Sequence, residues 1–206
     1  MKVSNKCNVF NSNKILWHMT KKKIGPSSIL FPMPSTIIGA NVNGKPNFLT
    51  VAYCGIVEAK PPLIMISLGK SHFTNDGIKE NKTFSVNIPS ADMAEATDYV
   101  GIYSGNDTDK SKVFDVFYGE LKTAPMIGEA PLNLECKLVK NVDLSIKHDV
   151  FIGEIVQTHV KEECLTNGVP DIRKVDPIIY ATKIQSYVRI GDLIGKAWKI
   201  GKNFKN

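Results

Sequence analysis

The sequence predicts a mainly β protein that folds as a closed or nearly closed barrel with a few short helices. Its 206 residues are enough for one domain with a full hydrophobic core. Apolar and β-branched runs are numerous, whereas helical patterns are few and short. Regular crossover helices do not separate the strands, so a doubly wound parallel sheet is not expected.

The first elements predicted with a clear signal are two strands joined at Asn43 and Gly44. These two residue types tolerate the positive φ that a tight hairpin turn requires. Residues 36–41 and 46–57 flank the turn as apolar, β-branched strands. An extended polar arm precedes them, with one possible strand at residues 14–19.

The next elements follow Pro61 and Pro62, which end the second flank. Residues 63–68 form a buried strand, and residues 75–82 form a short helix capped by Thr74 or Asn75. A further strand covers residues 83–88 and stops at a proline.

The second half of the chain has one helix, one long excursion and several strands. Residues 91–100 present one less polar face and are predicted to be helical. Residues 102–133 are rich in Gly, Asp, Lys and Pro, and loops this long are usually functional or mobile. The strands predicted beyond them are residues 134–144, 150–160, 178–179 and 186–190.

Composition excludes several classes of protein. The net charge is +6, but only two of the 26 basic residues are Arg, so a sequence-specific nucleic-acid reader is not expected. No apolar run approaches the roughly 20 residues of a membrane span. The N-terminus lacks the apolar stretch of a signal peptide, which favours the cytoplasm. The four cysteines (Cys7, Cys54, Cys136 and Cys164) have neither metal-ligand nor disulfide spacing.

The loop between the strand at residues 63–68 and the following helix is a candidate phosphate site. It contains Lys70, Ser71, His72, Phe73 and Thr74. The N–H groups and the dipole at the start of a helix favour an anion, and hydroxyl and cationic side chains add donors. An ordinary capped loop would have the same composition, so both readings stay open.

The strand segment before that loop is a candidate wall for a flat ring. Thr50, Val51, Ala52, Tyr53 and Cys54 place a small residue among larger ones, so a ring could approach the backbone. Hydrogen bonds to the edge of a flavin ring tune its chemistry without a catalytic side chain. The wall and the phosphate loop together indicate a bound flavin, although the strand alone would also suit a plain core.

Four further residues are candidates with ordinary alternatives. Ser67 and Asn87 are polar residues at the ends of apolar runs, where they either satisfy neighbouring backbone or face a cofactor. Lys110 belongs to a basic patch that is either solvated or ligand-binding. His148 either lies in a turn or forms the rim of a pocket that contacts a nicotinamide or another electron partner.

Taken together, these segments resemble the flavin reductase-like, FMN-binding split-barrel family, including the flavoredoxin type. The similarity covers about residues 26–202. The matching segments are residues 47–55, 61–68, 72–75 with Ile78 and Asn81, 84–89, 105–110, 148–155 and 187–198. Two positions depart from the family pattern. Many members have Arg in the loop that here carries Lys70 to His72, and many have Gly-Asp-His where this chain has Lys-His-Asp around His148.

The resemblance implies a Greek-key split β-barrel at residues 26–206, preceded by an arm at residues 1–25, and a homodimer with FMN near the subunit interface. The ring would lie against residues 50–54, and Asn87 would approach the ring or the ribityl chain. The phosphate would meet Ser67 or Lys70 on one side and residues 72–74 on the other. Lys110 and Trp198 would lie near the partner's site.

The resemblance also implies the function. An FMN-binding oxidoreductase would move electrons from NADH or NADPH, or from a redox protein, to free flavin, a metal complex or a protein. No catalytic side chain and no metal is expected. The alternatives are a non-enzymatic FMN electron carrier and a flavin-free anion-binding module. The sequence does not specify the electron donor, the acceptor or the redox potential, or whether FMN is held tightly or used as a cosubstrate.

Overall fold

The computed structural model describes residues 21–143 and 147–204. Seven of the fourteen strands described form a single large sheet. In chain order the strands are β1 (Met33–Pro34), β2 (Thr36–Val42), β3 (Lys45–Val51), β4 (Cys54–Ala59), β5 (Pro62–Gly69), β6 (Thr83–Ile88), β7 (Val116–Phe117), β8 (Met126–Ile127), β9 (Leu132–Asp143), β10 (His148–Val160), β11 (Leu165–Thr166), β12 (Val169–Pro170), β13 (Ile178–Ala181) and β14 (Ser186–Arg189).

The helices are short. The α-helices are α1 (Thr74–Asn81), α2 (Ala94–Ile102) and α3 (Ile172–Val175), and 3₁₀ turns cover Ala91–Met93, Glu162–Cys164 and Ile200–Asn203. Within residues 21–143 and 147–204, none of the helices has the length and apolar character needed to cross a bilayer.

Seven strands form one antiparallel sheet in the order β3-β2-β6-β9-β10-β5-β4. The two edge strands, β3 and β4, follow one another in the chain, so the sheet curls until its edges meet. The link between them is Ala52 and Tyr53, which belong to neither ladder. We call this junction the seam; the barrel is not closed there.

The inside of the barrel is an apolar core. Ile38, Phe84 and Phe151 are fully buried in it, and Ile78 of α1 packs into the same cluster. A second cluster lies on the outer face of β2 and β3, where Phe48 packs edge-to-face on Phe114, with 5.3 Å between ring centroids. The excursion and α2 therefore cover one side of the sheet, and this fixes α2 next to the seam.

Several sequence predictions are confirmed. The hairpin turn has positive φ at Asn43 and Gly44, and β6 has the predicted bounds. The excursion carries only two-residue strands, and β9 pairs with β10 along their length. Leu144, the predicted end of one strand, and residues 14–19 lie outside the described residues.

Two predictions are wrong. The single strand at residues 46–57 is two strands, because the chain leaves one edge of the sheet at the seam and joins the other. The N-cap of α1 is Phe73, with no side-chain cap. Thr74 and Asn75 do not cap, because the Thr74 hydroxyl accepts from Asn47 Nδ2 at 2.9 Å and Asn75 Nδ2 donates to the Gly69 carbonyl at 2.7 Å.

Candidate functional site

The seam leaves backbone polar groups outside the sheet. The carbonyl of Tyr53 accepts from Ser67 N–H at 2.9 Å, which ties the link to β5. The N–H groups of Ala52 and Tyr53 lie outside both ladders. A small side chain at Ala52 keeps this stretch of backbone approachable. The edge of a planar, hydrogen-bonding ligand fits such a stretch better than another strand does.

A cavity of about 220 Å³ opens on the seam. We call it the seam cavity. The residues predicted from sequence that line it are Thr50, Val51, Ala52, Tyr53, Ser67, His72 and His148. The Tyr53 and His148 rings form one wall, with 6.2 Å between their centroids. The structure therefore brings together seven candidates that are spread over about a hundred positions of the chain.

A second cavity, of about 130 Å³, adjoins the first, and His72 lines both. We call it the loop cavity. Its lining includes Phe73, Thr74 and Lys110 from the sequence prediction, and Asn47 and Gly105 besides. A Cβ on Gly105 would collide with Asn47 Oδ1 and would lie 2.6 Å from the Phe73 ring, so only glycine lets this loop approach so closely. A still larger cavity, of about 340 Å³, follows it along residues 105–110.

Lys110 supplies a cation to the loop cavity. The residue is 2 % exposed, and its Nζ donates to the carbonyls of Val100 at 3.1 Å and Tyr103 at 2.9 Å, at the end of α2. Among the described residues, no carboxylate forms a salt bridge with it. Burial lowers the pKa of Lys110 to about 8. A buried cation without an acidic partner is the complement of an anionic ligand.

His72 connects the two cavities. Burial, followed by the nearby positive charge of His148 and of Lys110, lowers the pKa of His72 below its ordinary value. A neutral imidazole at pH 7 offers one donor and one acceptor to a ligand. Lys110 is therefore the cation of the loop cavity, and His72 adds a polar, hydrogen-bonding group beside it.

The opening of α1 offers fewer backbone donors than its position suggests. The N–H groups of Asn75 and Asp76 already donate to the carbonyls of His72 and Phe73. The Thr74 hydroxyl accepts from Asn47, and its own proton remains free to donate into the loop cavity. An anion there would therefore depend on the hydroxyl and on Lys110 more than on the first helical turn.

The residues present fit a phosphorylated flavin. The seam cavity offers approachable backbone and walls made of aromatic rings. The adjoining loop cavity offers a buried hydroxyl and a buried cation that has no carboxylate partner among the described residues. A flat ring and an anionic tail, joined by a short polar chain, match this order of environments.

Three sequence candidates lie away from these cavities. Asn87 is fully buried in the sheet, where its side chain bonds to the backbone of Ile37 and Ile127 and to Asn133. Lys70 Nζ donates to Asp143 at 2.5 Å and lines none of these cavities. Trp198 is 93 % exposed and lines none of the cavities described above.

Cys54 faces the core from the start of β4, behind the seam. It packs against the barrel cluster, and burial raises the pKa of its thiol to about 11, although a hydrogen bond with Thr36 acts in the opposite direction. The thiol is therefore a packing group.

Sequence reasoning missed several lining residues. Met33, Tyr180 and Thr182 complete the seam cavity from β1 and the end of β13. These residues come from segments that are distant in the chain, and no local pattern marks them. Asn47 carried a weak signal, because it is a polar residue at the start of an apolar run, and the structure buries it.

The fold is a mainly β split barrel, and sequence comparison shows the family to which the chain belongs. The family model described as flavin reductase like domain matches residues 28–185. The chain belongs to this family, and its mainly β, split-barrel fold is the family's fold.

Among solved structures, two flavoredoxins are similar over most of the chain. The flavoredoxin of Methanosarcina acetivorans is 46% identical, with a TM-score of 0.86, over 88% of this chain and 97% of that one. The flavoredoxin of Desulfovibrio vulgaris is 37% identical, with a TM-score of 0.82, over 88% and 99% of the two chains. A curated relative, an FMN reductase (NADH) of Acinetobacter baylyi, is 28% identical over 55% of this chain and 58% of its own length.

Proposed function

We propose that this protein binds FMN along the seam and the loop cavity and transfers electrons through it. The observation that carries the proposal is that two adjoining cavities share His72 in their lining, with approachable backbone at one end and Lys110, a buried cation with no carboxylate partner among the described residues, at the other. When bound, FMN supplies a ring that accepts and donates electrons.

The residues of the chain have distinct roles in this proposal. Ala52 and Tyr53 present backbone groups to the edge of the ring, and Thr50, Ser67 and His148 border it. Thr74 and Lys110 bind the phosphate as hydroxyl donor and cation. His72 lies between the two ends. Asn87 and Lys70 are left out of the proposed set because their polar atoms are engaged elsewhere.

The first test is an absorption spectrum of the purified protein, followed by titration with FMN. Oxidised-flavin bands in the protein as isolated, or saturable binding of added FMN, are the expected result. A colourless protein that stays colourless with FMN contradicts the proposal and favours an anion-binding module without flavin.

The electron donor divides the proposal into two candidate functions. Oxidation of NADH or NADPH with an added flavin or metal acceptor is expected of an NAD(P)H-dependent flavin oxidoreductase, as the name of the Acinetobacter relative suggests. The similarity to flavoredoxins favours the second candidate, an FMN electron carrier. A carrier would oxidise neither nucleotide without a partner reductase, so steady-state assays with and without a redox protein separate the two.

We also propose that the working form is a homodimer of the domain at residues 26–206. Apolar side chains of β4 and β5 face solvent in the monomer, with Ile56 65 %, Val57 52 % and Met65 36 % exposed. Trp198 is placed in this proposal at the partner's site. Light scattering coupled to size-exclusion chromatography would give the molecular mass, and a monomer at all concentrations would contradict the proposal.

A further inference from the structure

A fourth cavity, of about 300 Å³, lies next to the seam and shares Gly101 and Ile102 of α2 with the loop cavity. We call it the tyrosine cavity. It is formed where α2 approaches β13 and β14, and its lining includes Ser35, Asp98, Tyr180 and Tyr187. Thr50, Ala52 and Tyr180 line both this cavity and the seam cavity. A molecule in the tyrosine cavity would therefore lie directly beside the proposed flavin wall.

A buried hydroxyl without a protein partner belongs to a residue that lines this cavity. Ser35 is 3 % exposed, and its Oγ has no hydrogen-bond partner among the described residues. Buried hydroxyl groups in folded proteins are almost always satisfied, so this one is available to a water or to a ligand atom. Because a hydroxyl both donates and accepts, it suits a ring nitrogen, a carbonyl or a carboxamide.

The charge of this cavity differs from that of the loop cavity. Asp98 accepts from the Tyr187 hydroxyl at 2.9 Å, and none of the lining residues is Lys, Arg or His. Lys183 is close in sequence to the lining residues Tyr180 and Gln185, but it does not line the cavity. Burial, followed by the hydrogen bond to Asp98, raises the pKa of Tyr187, so the phenol stays protonated. A negatively charged ligand would meet a carboxylate and no cation.

The walls of the cavity are aromatic. The rings of Tyr180 and Tyr187 have centroids 6.1 Å apart and an interplanar angle of 51°. Such faces favour planar rings, and the negative face of a tyrosine ring attracts a cation.

We propose that the tyrosine cavity is the subsite for the small redox partner molecule, and that it selects planar rings that are uncharged or positively charged. Asp98, Tyr187 and Ser35 are the specificity-determining residues. The inference rests on the proposed function for its biological role, but the binding preference follows from the cavity alone. A polyanionic partner would have to keep its charged groups outside this cavity.

The test uses three probes of nearly equal shape and different charge: N-methylquinolinium, quinoline and quinoline-3-carboxylate. Calorimetric titration of the full chain, with and without FMN, measures the affinity for each probe. The cation is expected to bind most tightly and the anion most weakly, with Kd values about tenfold or more apart. Equal affinity for the cation and the anion would overturn the proposal.

Variants test the residues. Asp98→Asn is expected to weaken binding of the cation about two- to fivefold, as for an exposed carboxylate, and to leave quinoline nearly unchanged. The matched control is Asp92→Asn, the same charge change just before α2, at a carboxylate that does not line the cavity. Ser35→Ala and Tyr187→Phe are expected to weaken quinoline several-fold. If Asp92→Asn and Asp98→Asn act equally, the effect is long-range charge and the subsite is refuted.

A separate readout keeps this result apart from the flavin assignment. FMN titration of the same variants is expected to give the wild-type Kd. If the wild-type chain bound no FMN, the proposed function would fail, and the ring titration of the flavin-free chain would still decide what the cavity selects.

Discussion

The centre of the seven-stranded sheet and its seam are made from the same apolar strands but differ in what lies against them. At the centre, β2, β6 and the first half of β9 are largely buried, and polar side chains there are hydrogen-bonded. Ser85 Oγ, for example, donates to the Pro125 carbonyl above Gly39. At the seam, the chain leaves one edge and joins the other, and two cavities share Thr50 and Ala52 in their lining. The centre therefore provides stability, and the seam provides room for a ligand.

The largest effect is expected when the same substitution, Gly→Ala, is made at the centre of the sheet and near the seam and its effect on the free energy of unfolding is compared. At Gly39 a Cβ would collide with the Pro125 carbonyl and Ser85 Oγ, so Gly39→Ala is expected to cost roughly 3 kcal/mol of unfolding free energy. At Gly55, in the edge strand β4, the Cβ would meet open space, and Gly55→Ala is expected to change stability by about 0.5 kcal/mol or less. Urea denaturation measures both, and equal losses would contradict a packed centre and an open seam.

The second prediction concerns ligand affinity. Lys110→Met is expected to weaken FMN binding by about two decades, because a buried, charge-assisted bond contributes roughly 1.5–3 kcal/mol. The same change at the exposed Lys112 is the control and should leave the affinity within about twofold. Fluorescence titration of FMN measures both variants. An affinity loss shared equally by the two would show that net charge, and not the buried contact, attracts the ligand.

Thr74 tests the hydroxyl of the same cavity. Thr74→Val is expected to weaken FMN binding, since the loss of one charge-assisted hydrogen bond costs roughly 1.5–3 kcal/mol, or about one to two decades. Thr74 also accepts from Asn47, so the variant leaves a buried amide unpaired and loses some stability. Thr74→Ser keeps the hydroxyl and is the control. If Ser and Val weaken binding alike, Thr74 does not touch the phosphate.

The sequence predicted the centre of the sheet better than the seam, for a physical reason. Apolar alternation and the Asn43-Gly44 turn are local signals, and they located β2, β6, β9 and β10 within a few residues. The break at Ala52 and Tyr53 has no local signal, because the residues on both sides favour strands equally. It arises from the curl of the whole sheet.

The candidate site divides in the same way. Residues 50–53 and 72–74 were found because they are contiguous with a strand end and a helix start. Tyr180 and Ser35 were not found, because only the tertiary fold brings β13 and the end of β1 beside the seam. Asn87 shows the opposite case. A buried polar residue looked like a ligand contact, but its partners are the sheet itself.

The smallest effect sharpens the role of Lys110 through pH. Since burial lowers its pKa to about 8, the free protein loses this positive charge as the pH rises from 7 to 9, whereas a bound phosphate would hold the proton. The affinity for FMN is therefore expected to be highest below pH 8 and to fall about tenfold between pH 7 and 9. Lys110→Met should bind weakly and with no such slope. An equal slope in both proteins would assign the pH dependence to another group, and Lys110 would then not be the cation that binds the phosphate in the loop cavity.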